Sequence, residues 1–279
     1  MPIDQNQLKL AAQWVRTAQA MIVTAGAGMG VDSGLPDFRG EEGFWRAYPA
    51  LRAEAMTFYD IASPSSFKGE LARTAWGFYG HRLAMYRRVK PHAGFDILRS
   101  WADRMPQGAW VFTSNVDGHF QRAGFKAEQV HECHGSIHRL QCLTPCCEAL
   151  WPADGFEPEI DESRCRLTNG LPTCPSCGSV ARPNTLMFED YGWLEASTEA
   201  SRGRLDAWRR QVTDVLVIEL GAGTDIPTVR RFGERVAKRF IRINPREWKV
   251  RGGLNSMGIE GAALGVLTAI DREMQADAS

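Results

Sequence analysis

The chain has 279 residues, with 33 Lys plus Arg against 33 Asp plus Glu and a formal net charge of zero. That balance gives no whole-chain pull toward nucleic acid or an anionic membrane, and no apolar run reaches the ~20 residues of a membrane-spanning helix. Seven cysteines, all of them from Cys133 to Cys177, cluster as metal ligands do rather than spreading as a disulfide framework. The amphipathic N-terminus has neither the apolar core nor the cleavage site of a signal peptide, so the expected location is the cytoplasm.

In chain order, Leu8, Leu10, Ala11, Trp14, Val15 and Ala18 recur at helical spacing and predict a helix over 5–19. An apolar strand at 21–23 runs into Gly26-Ala27-Gly28. Residues 41–90 carry aromatics and arginines in short helical patterns broken at Pro49, Pro64 and Pro91. A helix with Phe95, Ile97, Leu98 and Trp101 follows. Residues 110–113 are a second buried strand with Asn115-Val116-Asp117-Gly118 just beyond it, and 130–135 read as a short strand ending in a loop. From 142 to about 181 the periodicity disappears, which predicts a loop-rich insertion with almost no apolar core. The alternation then resumes: a strand at 214–220 entering Gly221-Ala222-Gly223, a helix at 229–238, a strand at 240–243 ending at Asn244-Pro245, and a helix over 261–274. Strands alternating with helices imply an α/β fold whose parallel sheet is covered on both faces. Ligands of such sheets bind beyond the C-terminal strand ends, where the glycine, Asn-Asp and Asn-Pro motifs all fall.

Gly26 and Gly28 allow backbone N–H groups to approach a phosphate, or simply make a turn; Val31 stands where G-x-G-x-x-G needs its third glycine. The acid, ring and guanidinium of Asp37-Phe38-Arg39 favour ligand contact. Asn115 and Asp117, two apart, face one side of an extended stretch and suit ribose hydroxyls or a carboxamide, the alternative being an Asx turn. His134 at a strand end is either a packed or surface residue or, since the unperturbed imidazole pKa suits neutral pH, a general base. His131, His134 and His138 could be spaced for a metal, but the adjoining cysteines are better ligands. Cys133 beside His134 could suggest a nucleophile, yet adjacent strand residues point to opposite faces.

Cys174-Pro-Ser-Cys177 is the stronger half of a zinc site, and Cys142-Leu-Thr-Pro-Cys146-Cys147 supplies the other. Cys142, Cys146, Cys174 and Cys177 are the expected ligands, with Cys147 close behind Cys146 and Cys165 a spare. One structural zinc would supply on the order of 10 kcal/mol of local folding energy.

Taken together, Gly26-Ala27-Gly28, Gly34–Gly40, Thr113–Gly118 with Arg122-Ala123-Gly124, His134-Gly135 and the paired cysteines resemble, in order, the motifs of the sirtuins, the Sir2 family of NAD-dependent protein deacylases. The resemblance implies a Rossmann-like doubly wound domain (1–40, 91–135 and 182–279) with a helical module at 41–90 and a zinc-binding module at 136–181. NAD and an acyl-lysine protein or peptide would meet between them, with no direct nucleic-acid or membrane partner. By position, Gly26, Ala27 and Gly28 would hold the pyrophosphate, Asp37, Phe38 and Arg39 would shape and cover the site, and Asn115 and Asp117 would hold nicotinamide and its ribose. His134 would be the base, Gly221 and Gly223 would line the ribose–phosphate path, and Asn244 and Ala262 would meet the adenosine. The implied reaction releases nicotinamide and moves the acyl group to ADP-ribose; the alternative is ADP-ribosyl transfer or NAD hydrolysis at the same site. The chain departs from the family pattern at Gly30, at Phe188-Glu189-Asp190 where F-G-E is usual, and at Gly221–Pro227.

Overall fold

The computed structural model describes residues 3–37, 40–251, 253 and 255–276, without the side chains of 40–42. Phe38 and Arg39, both expected at the site, lie outside the described residues. The strands are β1 (Ala20–Ala25), β2 (Ala109–Thr113), β3 (Val130–Glu132), β4 (Gly135–Cys142), β5 (Trp151–Pro152), β6 (Ile160–Asp161), β7 (Arg166–Leu167), β8 (Ala181–Thr185), β9 (Val215–Leu220), β10 (Arg239–Asn244) and β11 (Ser256–Glu260). The helices are α1 (Gln5–Thr17), α2 (Gly40–Ala47), α3 (Pro49–Ala53), α4 (Phe58–Ile61), α5 (Leu71–Arg88), α6 (Ala93–Ala102), α7 (His119–Arg122), α8 (Ala196–Arg209), α9 (Thr228–Val236) and α10 (Ala263–Ala276).

Six parallel strands form one sheet in the order β11-β10-β9-β1-β2-β3. The two-residue period of each strand divides its side chains between the two faces. Met21, Val23 and Ala25 of β1 join Leu216, Ile218 and Leu220 of β9 in a core with α1, α6 and α10. Ala20 and Ile22 join Val215, Val217 and Phe112 in a second core with Leu205 of α8 and Phe232 of α9. Covered on both faces, β1 and most of β9 read as apolar runs, while the buried Glu219 of β9 is paired with Arg242 of β10.

The rest of the chain is better organised than its composition suggests. β5, β4 and β8 form an antiparallel sheet and β6–β7 a two-stranded one. The expected absence of an apolar core does not hold: Ile137, Leu140, Ala153, Cys165 and Leu167 pack with Trp76, Phe78 and Leu83 of α5 in one shared core. Gly77 makes that packing possible, since a Cβ there would lie 1.9 Å from the carbonyl oxygen of Cys165. The helical and cysteine-bearing segments are therefore joined by a single apolar interior, placed beside the C-terminal ends of β2 and β3. β8, on the large-domain side of the expected boundary at 182, is hydrogen-bonded to β4 of this unit.

Candidate active site

The glycine loop after β1 owes its composition to a second loop lying against it. A Cβ on Gly26 would sit 2.8 Å from the Cα of Ala222, and one on Gly28 would sit 2.7 Å from the Cα of Gly221. Gly221 has a φ of 58°, in the left-handed region, and its carbonyl accepts from the N–H of Gly28 at 3.0 Å. Two strand-end loops thus pack backbone against backbone, leaving Ala27 exposed and Gly28 and Gly223 half-buried. Bare backbone at parallel strand ends fits a diphosphate. No α-helix follows β1 directly; the chain enters short 3-10 turns at Ala27–Met29 and Val31–Ser33, so the glycine loop does not open onto a helix N-terminus. Gly30 is buried, and a Cβ there would lie 3.0 Å from Cδ1 of Leu35.

Asn115 and Asp117 leave the end of β2. Asn115 Nδ2 donates to the carbonyl of Gly26 at 3.0 Å, while the Asn115 N–H is held by Thr113 Oγ1 at 3.0 Å. Asp117 is buried; its Oδ1 accepts from the N–H of His119 at 2.8 Å, an Asx turn, and its carbonyl accepts from His138 Nε2 at 2.8 Å. The Asx turn is thus realised at Asp117, while the Asn115 amide is tied to the backbone of the glycine loop. His134 sits between β3 and β4. The N–H of Cys133 donates to Thr113 at 2.8 Å and the N–H of Leu186 donates to the His134 carbonyl at 2.9 Å, fixing the backbone from both sides. Gly135 has a φ of 73°, and a Cβ there would meet the Asn184 carbonyl oxygen at 2.1 Å, so β8 demands glycine after the histidine. Burial pushes the His134 imidazole below its ordinary pKa, which keeps it neutral and able to accept a proton at pH 7.

On the far side of the two loops, Asn244 is fully buried at the end of β10. Its Nδ2 donates to the carbonyl of Ala222 at 3.0 Å, and its Oδ1 accepts from the N–H groups of Arg246 and Glu247, each at 3.0 Å. Its amide ties loops together. Ala262 is exposed just before α10, and Asp37 lies 3.6 Å from Arg246 in an ion pair.

The sulfurs of Cys142, Cys146, Cys174 and Cys177 all lie within 4.8 Å of one another, with Cys142–Cys177 at 3.7 Å and Cys146–Cys174 at 3.6 Å. Four thiolates about 2.3 Å from a tetrahedral zinc stand about 3.8 Å apart, so the set fits that ion. Cys147 lies outside it, its sulfur 3.7 Å from Ser176 Oγ. Cys165 is buried in the shared core, and burial pushes its thiol up to about 12. Cys133 is raised to about 12 by burial as well, the opposite of an activated nucleophile. The three histidines do not converge: His138 is committed to Asp117, and His131 packs 4.9 Å from Phe112 with its pKa pushed down to about 4 by burial.

Further contacts tie the surrounding loops, and of these the sequence drew attention only to the Phe188-Glu189-Asp190 segment. Asp32 Oδ2 accepts from the N–H of Leu264 at 2.7 Å, supplying the start of α10 with a cap from a remote loop. Arg182 and Asp190 form a fully buried ion pair at 2.7 Å that holds the 186–190 turn. Glu189, where the sirtuin pattern has glycine, adopts a φ of 51° and hydrogen-bonds Tyr59, raising that tyrosine's pKa. Arg230 of α9 reaches the Ala222–Gly223 loop.

The described residues place the first two glycine loops, the Asn-Asp segment and the histidine at neighbouring ends of β1, β2, β3 and β9, with the cysteine cluster in the smaller unit. A family model described as "Sir2 family" matches residues 26–207. The chain is 31% identical over 242 residues to a probable bifunctional ADP-ribose hydrolase/ADP-ribosyltransferase of Fusarium oxysporum f. sp. cubense, covering 82% of this chain and 39% of that protein. It is 35% identical to an NAD-dependent protein deacylase of Pyrococcus furiosus, over 60% of each chain, and 32% identical to one of Thermococcus kodakarensis, over 68% of this chain and 67% of that one. The match thus spans less than two thirds of the first two of these relatives. A Sir2 homologue solved as an NAD complex has the same fold, with a TM-score of 0.70 at 22% identity over 99% of this chain and 95% of that one. With a six-stranded parallel sheet, a four-cysteine cluster and a family match across most of its length, this chain belongs to the Sir2 family.

Proposed function

We propose that the chain is an NAD-dependent protein-lysine deacylase that releases nicotinamide and passes the acyl group to ADP-ribose. The observation that carries this reading is the hydrogen bond from Asn115 to Gly26, which joins the Asn-Asp segment to the glycine loop. NAD, when bound, supplies an anomeric carbon made electrophilic by loss of nicotinamide. Ala27 and Gly28, with Gly221 and Gly223, offer backbone to its diphosphate and ribose. Asn115 and Asp117 orient the nicotinamide end, Asp37 borders it, and His134 accepts a proton as general base. Ala262 borders the adenine, while Asn244 acts through the loops that it ties. Zinc at Cys142, Cys146, Cys174 and Cys177 is structural, since four thiolates close its coordination and leave no open position for a substrate. The partner is an acyl-lysine protein or peptide, entering between the sheet and the shared smaller core. Reduced thiols at the metal site suit a cytoplasmic location.

A second reading, ADP-ribosyl transfer at the same site, is favoured by the long match to the Fusarium protein and by Glu189 in place of glycine. A panel of acyl-lysine peptides incubated with NAD and followed by mass spectrometry tests the first reading. It expects O-acyl-ADP-ribose from at least one acyl class; its absence across the panel, with ADP-ribosylated protein formed instead, supports the second.

A further inference from the structure

Arg230 lies in the first turn of α9, where a cation opposes the helix dipole. Its side chain is nevertheless almost fully buried, so its partners must hold it there. They are carbonyls of the two loops beyond β9 and β10. Nη2 donates to Ala222 at 2.8 Å and to Glu247 at 2.9 Å, and Nε donates to Ala222 at 3.2 Å and to Gly223 at 3.1 Å. The Glu247 carboxylate adds an ion pair at 3.2 Å and accepts from Thr224 Oγ1 at 2.6 Å, closing a ring between the loops. The Ala222 carbonyl also takes the amide of Asn244.

In a trans peptide, the carbonyl of one residue and the N–H of the next point in opposite directions, and the described chain contains no cis peptide bond. With the Ala222 and Gly223 carbonyls turned to the guanidinium, the N–H groups of Gly223 and Thr224 point away from it. Gly223 is half-buried and Thr224 is exposed. The same loop packs through Gly221 against Gly26 and Gly28.

We infer that Arg230, with Glu247 and Thr224, is a positioning device for the dinucleotide: it gathers loop carbonyls on one side so that loop amides face the ribose–phosphate chain. The inference rests on the NAD-dependent reading above. It accounts for a loop that reads Gly-Ala-Gly, because a guanidinium behind the loop gathers its carbonyls. Pre-set amides lower the ordering cost of binding and leave the chemical step alone.

The test is steady-state kinetics with NAD and a turned-over acyl peptide, alongside thermal melting, for Arg230→Lys, Arg230→Gln and Glu247→Gln. Lysine keeps the charge but loses the fork that spans several carbonyls. Arg230→Lys should raise KM for NAD about tenfold with kcat within about twofold and the peptide KM unchanged; Arg230→Gln should raise it further, and Glu247→Gln about threefold. A kcat loss without a change in the NAD KM, or an unchanged NAD KM in the variants that melt cooperatively, overturns the inference. Should neither arginine variant fold, the Glu247→Gln result decides by the same criterion. A wild-type protein that binds NAD but turns over no acyl peptide contradicts the proposed activity instead; NAD affinities of the same variants, measured by calorimetry, then decide the positioning role.

Discussion

The amide of Asn115 and the carbonyl of Gly26 meet at 3.0 Å, so the exit of β2 and the exit of β1 form one hydrogen-bonded unit. The glycine loop therefore cannot shift without moving the residue proposed to orient the nicotinamide end.

Asn115→Ala removes both that tie and the amide itself. Nicotinamide release should fall by about 100-fold or more, the scale seen when an oriented polar group at a reacting centre is deleted. The loss in unfolding free energy should stay near 1 kcal/mol, the net worth of an ordinary hydrogen bond. Denaturant melts and a nicotinamide-release assay separate the two effects.

The His134 imidazole sits below its ordinary pKa of 6.5 because burial disfavours the cation. A base must be neutral to work, so the rate should rise with pH through a midpoint below 6.5 and level off above it. A limb centred above 6.5 in kcat/KM against pH contradicts His134 as the base. Folding follows the same sign: the unfolded chain binds more protons than the folded one, so this contribution is present above 6.5 and is lost as pH falls. His131, pushed down to about 4 by burial, acts in the same direction.

Metal content distinguishes the adjacent cysteines. Cys146 belongs to the sulfur cluster and Cys147 does not. Cys147→Ser should retain one zinc per chain by mass spectrometry under native conditions, and Cys146→Ser should lose it. Chelation should unfold the cysteine-bearing segment and, through the core shared with α5, broaden or lower the melting transition of the whole smaller unit.

Asp190→Asn leaves the buried Arg182 guanidinium without its counter-charge. Breaking such a pair from one side costs about 3–5 kcal/mol, so chemical denaturation should show a loss of that size. A change below 1 kcal/mol would mean that the pair contributes little.

Much of the sheet was legible because a strand buried on both faces is a continuous apolar run, as at β1 and β9. β11 was not: only Met257, Gly258 and Ile259 are buried within it, with polar residues at both ends. α8 escaped because its sequence is mostly polar and, within the helix, buries just Ser201 and Leu205. The antiparallel unit was hidden for another reason. Its core groups Trp76 and Leu83 with Ile137, Leu140 and Leu167, more than fifty positions away, a relation that local periodicity does not carry. At the site, the residue types at strand ends could be read directly. What could not be read was the work behind them: Asn244 turned inward onto loop backbone, Arg230 gathering carbonyls, and Asp32 capping a helix more than two hundred residues later.

The most direct test of the proposed activity is the ratio of nicotinamide released to lysine deacylated, measured together with ADP-ribosylated protein, for the wild type and His134→Ala. The account predicts one nicotinamide per deacylated lysine in the wild type, with deacylation lost in the variant. Protein ADP-ribosylation that accounts for the released nicotinamide and continues undiminished in His134→Ala would contradict it.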